Sequence, residues 1–160
     1  MDQRAEFLRR ADALKPEIHK SSVYPKGDYA RRPMTEGDSV IGILYMDFHP
    51  RASKRSGAWM TEFRGQHRDA AGNNVIPIIQ VVCNFTSPTA DKPSLLTFDE
   101  SETLFHEFGH ALHGLLSRCS YRSIAGTNVP RDFVELPSQV MENWCRHPQV
   151  MKEYAKHYVT

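Results

Sequence analysis

The chain has 160 residues, 40% apolar and 24% charged, which suits one globular domain with a core of its own. Its 20 basic and 19 acidic residues leave a net charge of +1, so no overall field points to nucleic acid or an anionic membrane as partner. No apolar run approaches the roughly 18 residues of a membrane span, and the charged N-terminus shows no secretory core.

Residues 1–20 mix charge with Ala, Leu and Phe and predict a helix broken at Pro16, while 21–38, rich in Pro, Gly and charge, read as a loop. Residues 40–48 predict a strand apolar on both faces. In the turn at 51–57, Arg51, Lys54 and Arg55 read as solvated rather than as a phosphate site. A second strand is expected at 58–64 and a loop at 66–74. Residues 75–85 form the strongest strand candidate, and Pro77 within it argues for a sheet edge or a strand start. An edge there could hold an extended peptide by backbone pairing. Cys83, Cys119 and Cys145, odd in number and with no Cys-x-x-Cys pair, favour reduced thiols in a cytoplasmic setting.

Residues 97–118 read as one helix, opened by Thr97 with Glu100 or by Asp99 with Glu102 as a capping pair. Leu104, Phe108, Ala111, Leu112 and Leu115 follow the 3.6-residue period of a buried face, widened by Phe105 and Leu116. Inside it lies His106-Glu107-Phe108-Gly109-His110. Positions four apart on a helix lie about 40° apart around the axis and roughly 6 Å along it, so both imidazoles can reach one metal ion. Glu107, about 100° round from His106, stands beside that metal, where a general base for a zinc-activated water belongs. Gly109 costs about 1 kcal/mol in a helix interior, so something must approach it closely. His113 faces the same side, but three ligands from one straight helix fit a tetrahedral ion poorly. His113 reads better as core packing or as a group behind the ligands.

A catalytic zinc site needs a third protein ligand. Asp132, Glu135, Glu142 and Glu153 are the acidic candidates downstream, and residues 132–144 have the look of a second helix. Spacing does not choose among them: Asp132 and Glu135 could equally form a capping box, and Glu142 a solvated or supporting group. Glu142, Asp99 and Glu102 are all candidates to orient an imidazole.

Phe105-His106-Glu107-Phe108-Gly109-His110-Ala111-Leu112-His113 and Asp132-Phe133-Val134-Glu135-Leu136-Pro137-Ser138-Gln139 together resemble the thimet oligopeptidase family of zinc metallopeptidases. The connecting residues 123–131, with Tyr45-Met46-Asp47-Phe48, residues 50–55 and Cys83-Asn84-Phe85-Thr86, look most like its bacterial peptidyl-dipeptidase (dipeptidyl carboxypeptidase) branch. The resemblance implies His106, His110 and Glu135 as ligands of one zinc ion and Glu107 as general base. His113 and Glu142 stand as supporting candidates. It covers about residues 41–158.

The fold expected is α+β: a zincin-like core with a small mixed or antiparallel sheet packed on the zinc-motif helix, and a mostly helical C-terminal part. Residues 1–38 are an unmatched N-terminal helix and loop, and 39–160 a partial metallopeptidase catalytic domain. The family's oxyanion-stabilising Tyr and His segment would lie beyond Thr160, so the chain reads as truncated at its C-terminus. The activity implied is hydrolysis of short peptides by an oligopeptidase or peptidyl-dipeptidase, cytoplasmic, with oligopeptides as substrates and no nucleic acid or membrane as partner. The competing reading is a catalytically incomplete metal-binding or interaction fragment.

Overall fold

The structure, a computed structural model, describes residues 29–157. The expected helix broken at Pro16 lies outside them. Strand β1 (Tyr29–Glu36) and strand β2 (Ser39–Asp47) form an antiparallel hairpin in which Glu36 faces Ser39. Gly37 turns the corner at φ 59°, a conformation glycine adopts without a Cβ penalty. The expected loop at 21–38 is therefore corrected over its second part. Pro33 is tolerated because β1 is an edge strand, and Gly37-Asp38 was the hairpin signal.

Strand β3 (Trp59–Arg64) and strand β6 (Ile78–Val82) complete a four-stranded sheet in the order β1-β2-β6-β3. The sheet is mixed: β2 and β6 run parallel, and the other neighbours are antiparallel. Between β3 and β6, the two-residue strands β4 (His67–Arg68) and β5 (Asn74–Val75) pair with each other inside the stretch expected to be loop. Asp69 closes that turn by accepting from the backbone N–H groups of Ala71 and Asn73.

The edge expectation for 75–85 fails. The alternative, a strand start, holds: Pro77 immediately precedes β6, which is hydrogen-bonded on both sides. Its register with β2 continues past the strand through Cys83 N–H to Asp47 O (2.8 Å) and Phe85 N–H to Phe48 O (2.8 Å). The open edge on that side belongs to β3.

Helix α1 (Phe98–Leu115) packs on the sheet, with the Thr97–Glu100 capping box at its start. Its stripe of Leu104, Phe108, Ala111 and Leu115 meets Leu44, Ile79, Val81, Cys83 and Phe85, the alternate residues of the central strands. Each large side chain fully buried there contributes about 1.5–3 kcal/mol, which is what fixes the helix on the sheet. Leu116, expected to widen the stripe, caps the helix and is 51% exposed.

After a loop with a 3-10 turn at Arg122–Ile124 come α2 (Arg131–Val134), α3 (Leu136–Arg146) and α4 (Pro148–Tyr154). The single helix expected at 132–144 is broken at Glu135. Pro137 has no N–H to donate to the carbonyl of Phe133 four residues back, so the helical ladder cannot run through. Helix α3 turns Ser138, Met141 and Cys145 inward, spaced by three and four residues. Among the described residues, mixed α and β structure with a small four-stranded sheet, a two-stranded ribbon and a helical second half is thus what the chain builds. Among the described residues, no helix is long and apolar enough to cross a membrane.

In the basic turn after β2, Arg51 and Arg55 are exposed as expected, but Lys54 is not. The Lys54 side chain is 3% exposed, and its Nζ donates to Asp47 Oδ1 (3.0 Å), Asp47 O (3.0 Å), His49 O (2.9 Å) and the Cys83 carbonyl. Arg51 donates to both Asp47 carboxylate oxygens. A charge this buried needs such a full set of acceptors.

Cys83 lies in this knot, and burial pushes its thiol up to about 12, with the charge of Glu107 adding to the effect. Thiolate being the reactive form, Cys83 should resist iodoacetamide at pH 8 in the folded protein while the partly exposed Cys119 is alkylated. Mass mapping of alkylated peptides checks this. Equal labelling of both residues in the native state would contradict this packing.

Candidate metal centre

Two helices meet at the site. Helix α1 contributes His106, Glu107 and His110, and the α2–α3 junction contributes Glu135. One donor atom from each of His106, His110 and Glu135 falls within 4.8 Å of the other two. Glu135 Oε2 lies 3.1 Å from His110 Nε2 and 3.4 Å from His106 Nε2, so both imidazoles aim the same nitrogen at the carboxylate. Their rings cross at 85° with centroids 4.9 Å apart, as expected for positions four apart on a helix.

The break at Glu135 is what delivers its carboxylate. Ser138, fully buried at the start of α3, donates from Oγ to Glu135 O (2.9 Å) and to Glu135 Oε2 (2.8 Å). One hydroxyl thus fixes both the turn and the side-chain direction. Nothing local in the Glu135-Leu136-Pro137-Ser138 stretch assigns Ser138 a role, because its partner direction is set only by the turn. The capping box considered for Asp132 and Glu135 does not form, since α2 has no side-chain cap.

Glu142, two turns along α3, reaches back to His106 Nδ1 at 2.6 Å. An imidazole that donates Nδ1–H to a carboxylate keeps its Nε2 lone pair free for a cation, and gains basicity. Of the other orienting candidates, Glu102 instead takes Arg146 (2.7 Å to Nε), and the Asp99 backbone carbonyl accepts from Thr103 Oγ1. His113 stands apart from the three-residue group and sets its ring against Phe133, centroids 6.1 Å apart.

Glu107 is 7% exposed and lies on the sheet side of α1. Burial raises its carboxyl above the ordinary value. The neighbouring His106 opposes that, the charge of Glu135 adds to it, and a backbone hydrogen bond from Met60 of β3 opposes it again. Burial lowers the His110 imidazole, and Glu135 resists the shift. A neutral imidazole is the form that binds metal.

The donor set of two imidazole nitrogens and one carboxylate suits a zinc ion that keeps one position open, and the Glu142 contact on His106 fits the same use. Glu135 is 48% exposed along its side chain, so the group opens to solvent on one side.

Residues 13–160 match the family described as Peptidase family M3. The chain is 51% identical over 118 residues to dipeptidyl carboxypeptidase of Escherichia coli (strain K12), covering 74% of this chain and 17% of that protein. It is 46% identical over 126 residues to oligopeptidase A of the same organism, covering 78% of this chain and 18% of the relative. Against the probable cytosolic oligopeptidase A of Arabidopsis thaliana it is 51% identical over 122 residues, 73% of this chain and 17% of the relative. The chain therefore spans under a fifth of the length of these relatives.

Proposed function

We propose that this chain, which belongs to peptidase family M3, carries the catalytic centre of a zincin-like zinc metallopeptidase that hydrolyses short peptides as an oligopeptidase or peptidyl-dipeptidase. One observation carries the reading. Donor atoms of His106, His110 and Glu135 converge from two separate helices, with a buried carboxyl, Glu107, next to the first of them. Residues 39–160, joined by β1 at the sheet edge, make up this part of the catalytic domain. The three unpaired cysteines fit a reducing compartment, the cytoplasm.

His106 and His110 through Nε2, and Glu135 through its carboxylate, would hold the zinc. Zinc bound there supplies Lewis acidity, polarising the scissile carbonyl and acidifying the attacking water. Glu107 takes the proton of that water during attack and passes it to the leaving amine. Its raised carboxyl makes it a stronger base than a solvated glutamate, while the Met60 backbone holds it oriented. Glu142 fixes the His106 ring, and Ser138 fixes Glu135.

The peptide has a track beside this base. Among the described residues, β3 pairs in the sheet with β6 alone, so its outer backbone groups can take an extended strand. Pairing through backbone accepts many sequences.

The test is metal binding by residue. Wild-type chain should take up one zinc ion. Glu135→Ala should weaken zinc by more than the roughly 10–100-fold that loss of a supporting group costs. Asp132→Ala and Glu153→Ala should leave affinity unchanged. Competition with a chromophoric chelator reads all three. Equal affinity in wild type and Glu135→Ala would remove Glu135 from the site. Zinc uptake without hydrolysis of any peptide by the protein would favour the metal-binding or interaction module instead.

A further inference from the structure

A cavity of about 560 Å³ is lined by Met60, Glu62, Arg122, Ser123, Thr127 and Asn128. Its volume falls within the range of ligand pockets. It begins beside the base, since the Met60 backbone also bonds Glu107. We propose that Glu62 is the anionic wall of a substrate subsite that takes a basic side chain, Lys or Arg, of the bound peptide. The proposal rests on the peptidase reading above.

The position of Glu62 carries the argument. On edge strand β3, its carboxylate is enclosed by three glycines from three segments. A Cβ on Gly114 would stand 3.0 Å from Glu62 Oε1, one on Gly65 3.1 Å from Oε2, and one on Gly126 would collide with Oε1 outright. The carboxylate thus lies close against backbone at three points, in space that side chains would otherwise fill. An ionised carboxylate offers about four acceptor sites. Here it receives one long bond, from Thr127 N–H at 3.4 Å. No Lys, Arg or His among the described residues lies within ion-pair distance of it, whereas Asp47, Glu36 and Glu102 each have an arginine partner. Gly114 sits in the last turn of α1, where the helix dipole is negative and adds to the local potential. A partly buried negative charge at a pocket wall, without a cationic partner among the described residues, favours a cationic side chain.

Arg122 lines the same cavity and is the rival determinant, because a guanidinium would select an acidic side chain or a carboxylate. It is solvent-exposed on a long flexible stem, so ordering it around a ligand costs more side-chain entropy than ordering the shorter, partly buried Glu62.

The experiment scans Arg, norleucine or Glu through each position of a quenched-fluorescent hexapeptide. kcat/KM is measured on the zinc-loaded protein, and direct binding by anisotropy on its Glu107→Gln form. At one position Arg should exceed norleucine on the order of tenfold in both measurements, with the ratio falling as salt is added. Glu62→Gln should bring the ratio close to one, and Glu62→Asp, which keeps the charge, should retain part of it. A preference for Glu that Arg122→Gln abolishes would overturn the proposal, as would an Arg preference unaffected by Glu62→Gln. Absence of any preference in binding would overturn it too. Absence of hydrolysis with the binding preference intact would instead sink the peptidase reading and leave the subsite standing.

Discussion

Glu107→Gln should hold a full equivalent of zinc and lose peptide hydrolysis by about 10²–10⁴-fold, the usual contribution of a positioned general base. The substitution is nearly isosteric, so packing against the sheet is kept at a residue only 7% exposed. What disappears is the acceptor for the water's proton. Glu107 is outside the three-residue donor group, so metal content should not follow the loss of rate. The Met60 backbone hydrogen bond, which favours the charged carboxylate, can be accepted by the amide oxygen of Gln. Metal analysis alongside a quenched-peptide assay reads both quantities on one sample. A variant that loses zinc would make Glu107 a structural or ligating group, and one that keeps both zinc and rate would leave it without a catalytic role.

Gly109→Ala should be destabilising although alanine is the better helix former by about 1 kcal/mol. An added Cβ would stand 2.5 Å from Ser138 Cα, 2.7 Å from Pro137 O and 2.9 Å from Ser138 N. All three are backbone atoms at the head of α3, so no side chain can turn aside to make room. Overpacking costs about 1–3 kcal/mol even where side chains can adjust. Relief must come from moving α3 away from α1, and that movement carries Glu135 with it, because Ser138 Oγ is bonded to the Glu135 carboxylate. Zinc affinity should therefore fall by at least about tenfold together with the thermal midpoint. Zinc titration and thermal melts of the apo and metal-loaded forms separate the two effects. An alanine variant as stable as wild type with unchanged zinc affinity would mean that the helices do not meet at Gly109.

Local spacing made α1 legible in advance. The period of Leu104, Phe108, Ala111 and Leu115, the Thr97–Glu100 cap and the His106–His110 pair all depend on contacts within four residues, where helix geometry leaves little choice. The same holds for β2 and β3, whose bounds the residues indicate to within one position. Gly109 also announced a close approach, although not by what.

The failures share a different cause. Residues 29–36 looked like loop because Pro33 and the charges are tolerable only on an edge strand, and edge status depends on which strand pairs where. Pro77 left both an edge and a strand start open for β6, and only the pairing with two neighbours decides for the start. Lys54 looked solvated because its acceptors come from residues up to 29 positions away.

The sequence by itself determined the chemistry available on α1: two imidazoles and a carboxyl on one helix, at a spacing that permits a shared cation. Spacing alone could not choose a partner carboxylate across the 24 intervening residues between His110 and Glu135, since Asp132, Glu142 and Glu153 were equally acidic, and only the family resemblance of residues 132–139 pointed to Glu135. Tertiary packing decided that Glu135 Oε2 lies against both imidazoles and that Glu142 backs His106. The physical reason is that a helix fixes directions only along its own axis. The approach of a second helix is fixed by what its surface allows, here a glycine with no side chain under the first turn of α3.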